Sequence, residues 1–123
     1  MASAVPGQLP ARDRGALRIA DRVVAKIAAQ AAGEVLADAP GADLVPRDAR
    51  PHASVSVRKD TARLRLVLEL GYPANIAAVC GTVRRHVTGK VEALTGMDVP
   101  EVAVEVERLH SAAARRKDEG RVE

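Results

Sequence analysis

One thiol, three imidazoles and a cluster of carboxylates near the end of the chain are the residues that could carry chemistry. A nucleophile needs a base within hydrogen-bond reach and a third group to orient that base. Cys80 falls between Val79 and Val83 on an apolar helical stripe, and His86 falls on the opposite margin of that stripe. His52 belongs to a loop and His110 to a tail, so no nucleophile–base pair is predicted. A lone cysteine in that setting reads as a small buried hydrophobe. The densest metal-ligand set is Glu101, Glu105, Glu107 and His110, without a Cys-x-x-Cys or His-Glu-x-x-His pair beside it. Glu105 and Glu107 occupy the polar side of an alternating strand, where charge is ordinarily solvated. Gly89-Lys90 has no glycine loop ahead of it to cradle a phosphate. The expectation is a protein that is not an enzyme and carries no cofactor and no metal.

The elements that must position these residues centre on Leu64 to Val106. Leu64, Leu66, Leu68 and Leu70 alternate with Arg63, Arg65, Val67 and Glu69, the period of a strand with one buried face. Gly71-Tyr72-Pro73 ends that strand, and Asn75 suits the cap of a helix. Ile76, Val79, Cys80, Val83, Val87, Val91 and Leu94 then form one stripe at spacings of three and four. Gly96 supplies a left-handed stop, after which Val102, Val104 and Val106 restart a period of two. Upstream, a helix from Ala20 or Asp21 to about Ala37 presents Ile19, Val23, Ile27 and Ala31, with Ala20, Val24 and Val35 beside them. Pro40, Gly41, Pro46 and Pro51 mark a long irregular loop with more promise as a mobile segment than as a site. Ala53 to Arg58 reads as a strand joined by Lys59-Asp60-Thr61 to the Leu64 strand.

The fold class expected is α+β, a two-layer sandwich with a small three-stranded sheet and two helices on one face. The order is (β)-α-β-β-α-β, where the short alternation from Gly15 to Ile19 would supply a fourth strand. Pattern alone leaves open whether the last strand pairs with the first or second hairpin strand. The core is expected to centre on Leu66, Leu68, Val83, Val87 and Val104. Residues 1 to 14 read as a flexible tail, 15 to 109 as one domain, and 110 to 123 as a charged tail. With one Tyr and no Phe or Trp, the core is filled by aliphatic side chains. A net charge of +3 does not point to a polyanion partner. Nothing reaches the roughly 20 apolar residues of a membrane span.

Gly71-Tyr72-Pro73-Ala74-Asn75-Ile76, the valines that follow, Leu94-Thr95-Gly96-Met97 and Val99-Pro100-Glu101-Val102-Ala103-Val104 resemble the alkaline shock protein family. The segment from Gly15 to Ala28 is similar to that family's opening. The family comprises bacterial alkaline-shock and envelope-stress-response proteins. The resemblance implies a non-catalytic cytoplasmic scaffold, held at the inner face of the membrane through a membrane-anchored protein of related sequence and able to form homo-oligomers. A KH-like RNA-binding module is the alternative, with Arg58, Arg63, Arg65, Arg84, Arg85 and Lys90 for phosphate. That alternative lacks both the Gly-x-x-Gly clamp and aromatic platforms, so nucleic acid is not the expected partner.

Two surfaces are candidates for a protein contact. One is the polar side of the sheet, with Arg63, Arg65 and Glu69 beside Glu105 and Glu107. The other is the second helix, where Ala78, Thr82, Gly89 and Ala93 share one sector with Arg85 close by. Those small residues suit either close packing on the first helix or self-association.

Overall fold

A computed structural model describes residues 19–72 and 75–113. The chain runs α1 (Asp21–Ala37), a 3-10 turn (Ala42–Leu44), β1 (His52–Arg58), β2 (Thr61–Gly71), α2 (Ile76–Thr95) and β3 (Asp98–His110). The sheet order is β1-β2-β3, with β2 antiparallel to β1 and parallel to β3. That settles the pairing left open above: β3 joins the second hairpin strand. Of the residues assigned to a fourth strand, 15–18 lie outside the described residues and Ile19 is not in a strand.

Local chemistry explains where the elements stop. Lys59 takes a positive φ of 56° in the two-residue connection, and Thr61 already pairs with Arg58 as the first residue of β2. Asn75 Oδ1 accepts the Ala78 N–H at 3.0 Å, which satisfies one orphan donor of α2. Gly96 closes that helix at φ 74°, its N–H donating to the Glu92 carbonyl. The 38–51 segment is not without structure. Its 3-10 turn packs on β2, where Gly41 and Gly71 meet backbone to backbone. A β-carbon on Gly71 would sit 2.1 Å from the Gly41 oxygen, a contact only glycine permits.

Both helices pack on one side of the sheet around β2. Ala62, Leu64, Leu66, Leu68 and Leu70 are buried against Val79, Val83, Val87 and Val91 of α2 and Val24, Ala28, Ala31 and Ala32 of α1. Three expectations are corrected. The buried face of α1 is Val24-Ala28-Ala31-Ala32, about one position round from the expected stripe, and Val23 is 44% exposed. Small alanines let α1 approach α2 closely, which the bulkier stripe would prevent. The stripe of α2 keeps a spacing of four from Val79 to Val91 and therefore lands on Thr95, leaving Leu94 52% exposed. Thr95 is buried because its hydroxyl donates to the Val91 carbonyl at 2.6 Å and accepts the Met97 N–H at 3.1 Å. Val104 is only half-buried, since among the described strands β3 lies at the sheet's edge and the centre of the core belongs to β2.

Candidate protein-contact surfaces

Strand register arranges the outer face of the sheet. Arg63 lies directly opposite Glu101, and its Nε is 3.7 Å from Oε1 of that glutamate. Arg65 lies opposite Ala103 and reaches diagonally to Glu105, whose Oε1 accepts from Nη2 at 2.5 Å. Ser54 and Ser56 flank the arginines from β1, and Ala103 lies between the glutamates on β3. These small residues leave a shallow depression of about 360 Å³ around Arg63 and Arg65. The ion pairs are more than half exposed, so each contributes little to stability, about 0–1 kcal/mol. What they do fix is a charge pattern: a column of arginines on β2 beside a column of glutamates on β3.

Two sheet candidates leave that pattern. A register shift between Leu68 and Glu69 makes Glu107 the extra residue of a β-bulge, so it has no place in the Glu101–Glu105 row. The same shift brings His110 over Glu69, with Nε2 2.6 Å from Oε1 and both side chains largely covered. The Tyr72 N–H donates to the His110 carbonyl at 2.8 Å. Glu69 thus fastens the end of β3, and His110 belongs to the strand, not to a tail. Sequence reasoning missed this pair because only the bulge brings the two into line.

On α2, Ala78, Thr82, Gly89 and Ala93 are all exposed, so this sector does not pack on α1. A β-carbon at Gly89 would meet nothing within 4 Å. Thr82 donates back to the Ala78 carbonyl at 3.1 Å, and Arg85 donates to the Thr82 hydroxyl at 3.3 Å. Ala78 and Thr82 form one wall of a groove of about 550 Å³, with Val35, Ala39 and Pro40 opposite them. Arg85 and Gly89 lie outside its lining.

His86, read above for catalysis, has a different partner. Its Nε2–H donates to Glu34 Oε1 at 2.7 Å, joining α2 to α1. That hydrogen bond, then the charge of Lys90, holds the Glu34 carboxyl below its ordinary 4.5. A carboxyl depressed on folding stabilises the fold above its unfolded value, and that support is lost as pH falls through the folded value. Glu34→Gln is therefore expected to flatten slightly the stability profile just below pH 4.5, and to change little at neutral pH. Urea unfolding across that range checks it; an unchanged acid slope would mean the pair does not persist in solution.

Cys80 is 7% exposed, and burial pushes its thiol up against a weaker downward pull from Arg84. It is shielded, and thiolate chemistry is suppressed there. Among the described residues no three His, Cys, Asp or Glu side chains gather closely enough to hold a metal ion. Nor is any helix among them long and apolar enough to cross a membrane.

Fold and surfaces together define a two-layer α+β fold that carries its arginine and glutamate columns on the side of the sheet away from the helices. No protein-family model matches the chain, and no curated protein does. Among solved structures, a point variant of MamM-CTD is similar at a TM-score of 0.51 and 18% identity, over 71% of this chain and 95% of that one. Identity that low shows a shared fold and nothing more. The family comparison does not place the chain among the alkaline shock proteins, and the structural match bears a different name.

Proposed function

We propose that this protein is a non-catalytic interaction module that assembles with chains of its own or related sequence, as its resemblance to the alkaline shock proteins implies. The observation that carries this reading is the outer sheet face, open among the described residues, with Arg63 and Arg65 beside Glu101 and Glu105. Two such faces turned about a twofold axis set each arginine column against the other chain's glutamate column. Charge complementarity of this kind comes with any like chain, because a twofold contact is made by the same patch on both sides. A membrane-anchored chain of related sequence would offer the same columns and place this one at the membrane surface. RNA binding has weaker support: Glu101 and Glu105 stand beside Arg63 and Arg65 and would repel a phosphate backbone, and α2 runs unbroken from Ile76 to Thr95 with no clamp within it.

Charge reversal tests the reading. Arg63→Glu with Arg65→Glu should weaken self-association by about tenfold or more, because a twofold contact repeats each pair and the substitutions remove four complementary pairs. Mixing that variant with Glu101→Arg, Glu105→Arg should restore association in a mixed assembly, measured by sedimentation at low and moderate salt. Parent and both variants sedimenting alike, alone and mixed, would remove this face from the account.

A further inference from the structure

The groove between the helices takes no part in the sheet contact. Its walls are apolar: Val35, Ala39 and Pro40 on the α1 side face Ala78 and Val79 of α2. At about 550 Å³ it falls within the roughly 300–1,000 Å³ of small-ligand sites.

Charge enters this apolar setting from one wall. Glu34 and Asp38 both line the groove, four residues apart and therefore on one side of α1. They stand at the C-terminal end of that helix, where its last carbonyls add negative potential. The last turn of α1 carries no basic residue to balance them. Glu34 accepts from His86 through Oε1, and its second oxygen has lone pairs to spare. Asp38 forms no ion pair among the described residues.

The opposite wall does not cancel these carboxylates. It contains the first turn of α2, but Asn75 Oδ1 takes the Ala78 N–H and the Asn75 carbonyl takes the Val79 N–H. Arg85 lies outside the lining, its guanidinium drawn to the Thr82 hydroxyl. Lys90 also lies outside the lining, and its charge is felt by Glu34. Among the described residues the one basic side chain in the lining is His86, whose Nε2–H is spent on Glu34.

We propose that this groove binds a small organic cation, an ammonium or guanidinium ion carrying an aliphatic body. The body lies on Val35, Ala39 and Val79, and the cation lies between Glu34 and Asp38. An anion would meet two carboxylates and the negative end of a helix there, and a neutral molecule would leave both unanswered. A bare metal ion would leave the apolar walls unused, and no three ligating side chains gather among the described residues. The groove belongs to the helix layer, away from the arginine and glutamate columns, so its failure would leave the like-copy reading untouched.

Amide chemical shifts test it near neutral pH, with n-hexylamine as the probe. Hexylamine should shift the amides of Val35, Ala39, Ala78 and Thr82 saturably, at concentrations at least about tenfold below those needed with ethylamine, hexanol or hexanoate. Glu34→Gln with Asp38→Asn should bring hexylamine down to the level of hexanol while circular dichroism stays native. Ala78→Phe, which fills the groove from an exposed position, should remove the response to both. Hexanol or hexanoate binding as tightly as hexylamine would overturn the proposal, as would full affinity in the carboxylate variant. So would shifts confined to other surfaces, or none up to about 10 mM, the result for a groove the chain itself already fills. A capped Leu-Lys-Leu peptide binding tenfold more tightly than hexylamine would assign the groove to a peptide and overturn it too. Shifts at the same amides that follow protein concentration without any amine would assign it to a second copy, with the same consequence.

Discussion

Replacing Leu68 by alanine is expected to lower the free energy of unfolding by about 2–4 kcal/mol, the range for a large aliphatic truncated in a core. Leu68 is 1% exposed on the central strand, with both helices packed over that face. Neighbours cannot collapse freely into the space, because Leu66 is held by strand pairing on both sides, Leu70 by pairing with β3, and the helices close the core above them. The loss of methylenes and the cavity left behind therefore add together. Chemical denaturation of the folded variant gives the number. A shift below about half a kcal/mol would mean that the face of β2 is misassigned, since a one-residue slip turns every side chain over.

Gly71→Ala is the second large effect, expected to cost about 1–3 kcal/mol, as inserting a methyl group into a packed site does. Alanine would ordinarily suit a strand better than glycine. Here its β-carbon would meet the Gly41 oxygen at 2.1 Å and the Gly41 carbonyl carbon at 2.5 Å, backbone atoms that cannot rotate away. Gly41 itself is fixed at φ 78° by its own turn, so relief requires the whole 3-10 segment to lift from β2. Denaturation should show the loss, and amide exchange should quicken at Leu44 and Val45, whose N–H groups close that turn onto Gly41 and Ala42. A variant as stable as the parent, with those amides unchanged, would show that the loop does not rest on the sheet.

The sequence made some of this visible and hid the rest for physical reasons. The ends of α2 were readable because Asn75 and Gly96 have side-chain and backbone properties that act locally, and both cap the helix as expected. The leucines of β2 were readable because their contrast with arginine and glutamate is strong. The face of α1 was not, since alanine and valine occupy nearly every side of that helix and periodicity has little contrast to work on. Leu94 and Thr95 exchanged roles because a polar residue can be buried once its hydroxyl is satisfied, which no hydropathy pattern records. Of the candidate contact residues, Arg63, Arg65 and Glu105 stand on the open sheet face, and Ala78 and Thr82 line the helix groove. Glu69 and Glu107 were displaced by a bulge, a feature of pairing that one strand's sequence does not encode. The Glu34–His86 pair joins residues fifty-two positions apart and depends on how the two helices cross.

The central claim is that this chain associates with its own kind through the outer face of its sheet, where Arg63 and Arg65 stand beside Glu101 and Glu105. Sedimentation velocity of the unmodified chain, from low to high micromolar concentration and at low and moderate salt, tests that claim most directly. The account predicts a mass that rises above the 12.9 kDa of one chain toward twice that value and beyond, and falls back as salt screens the arginine and glutamate columns. A mass of one chain at every concentration and both salts would contradict it.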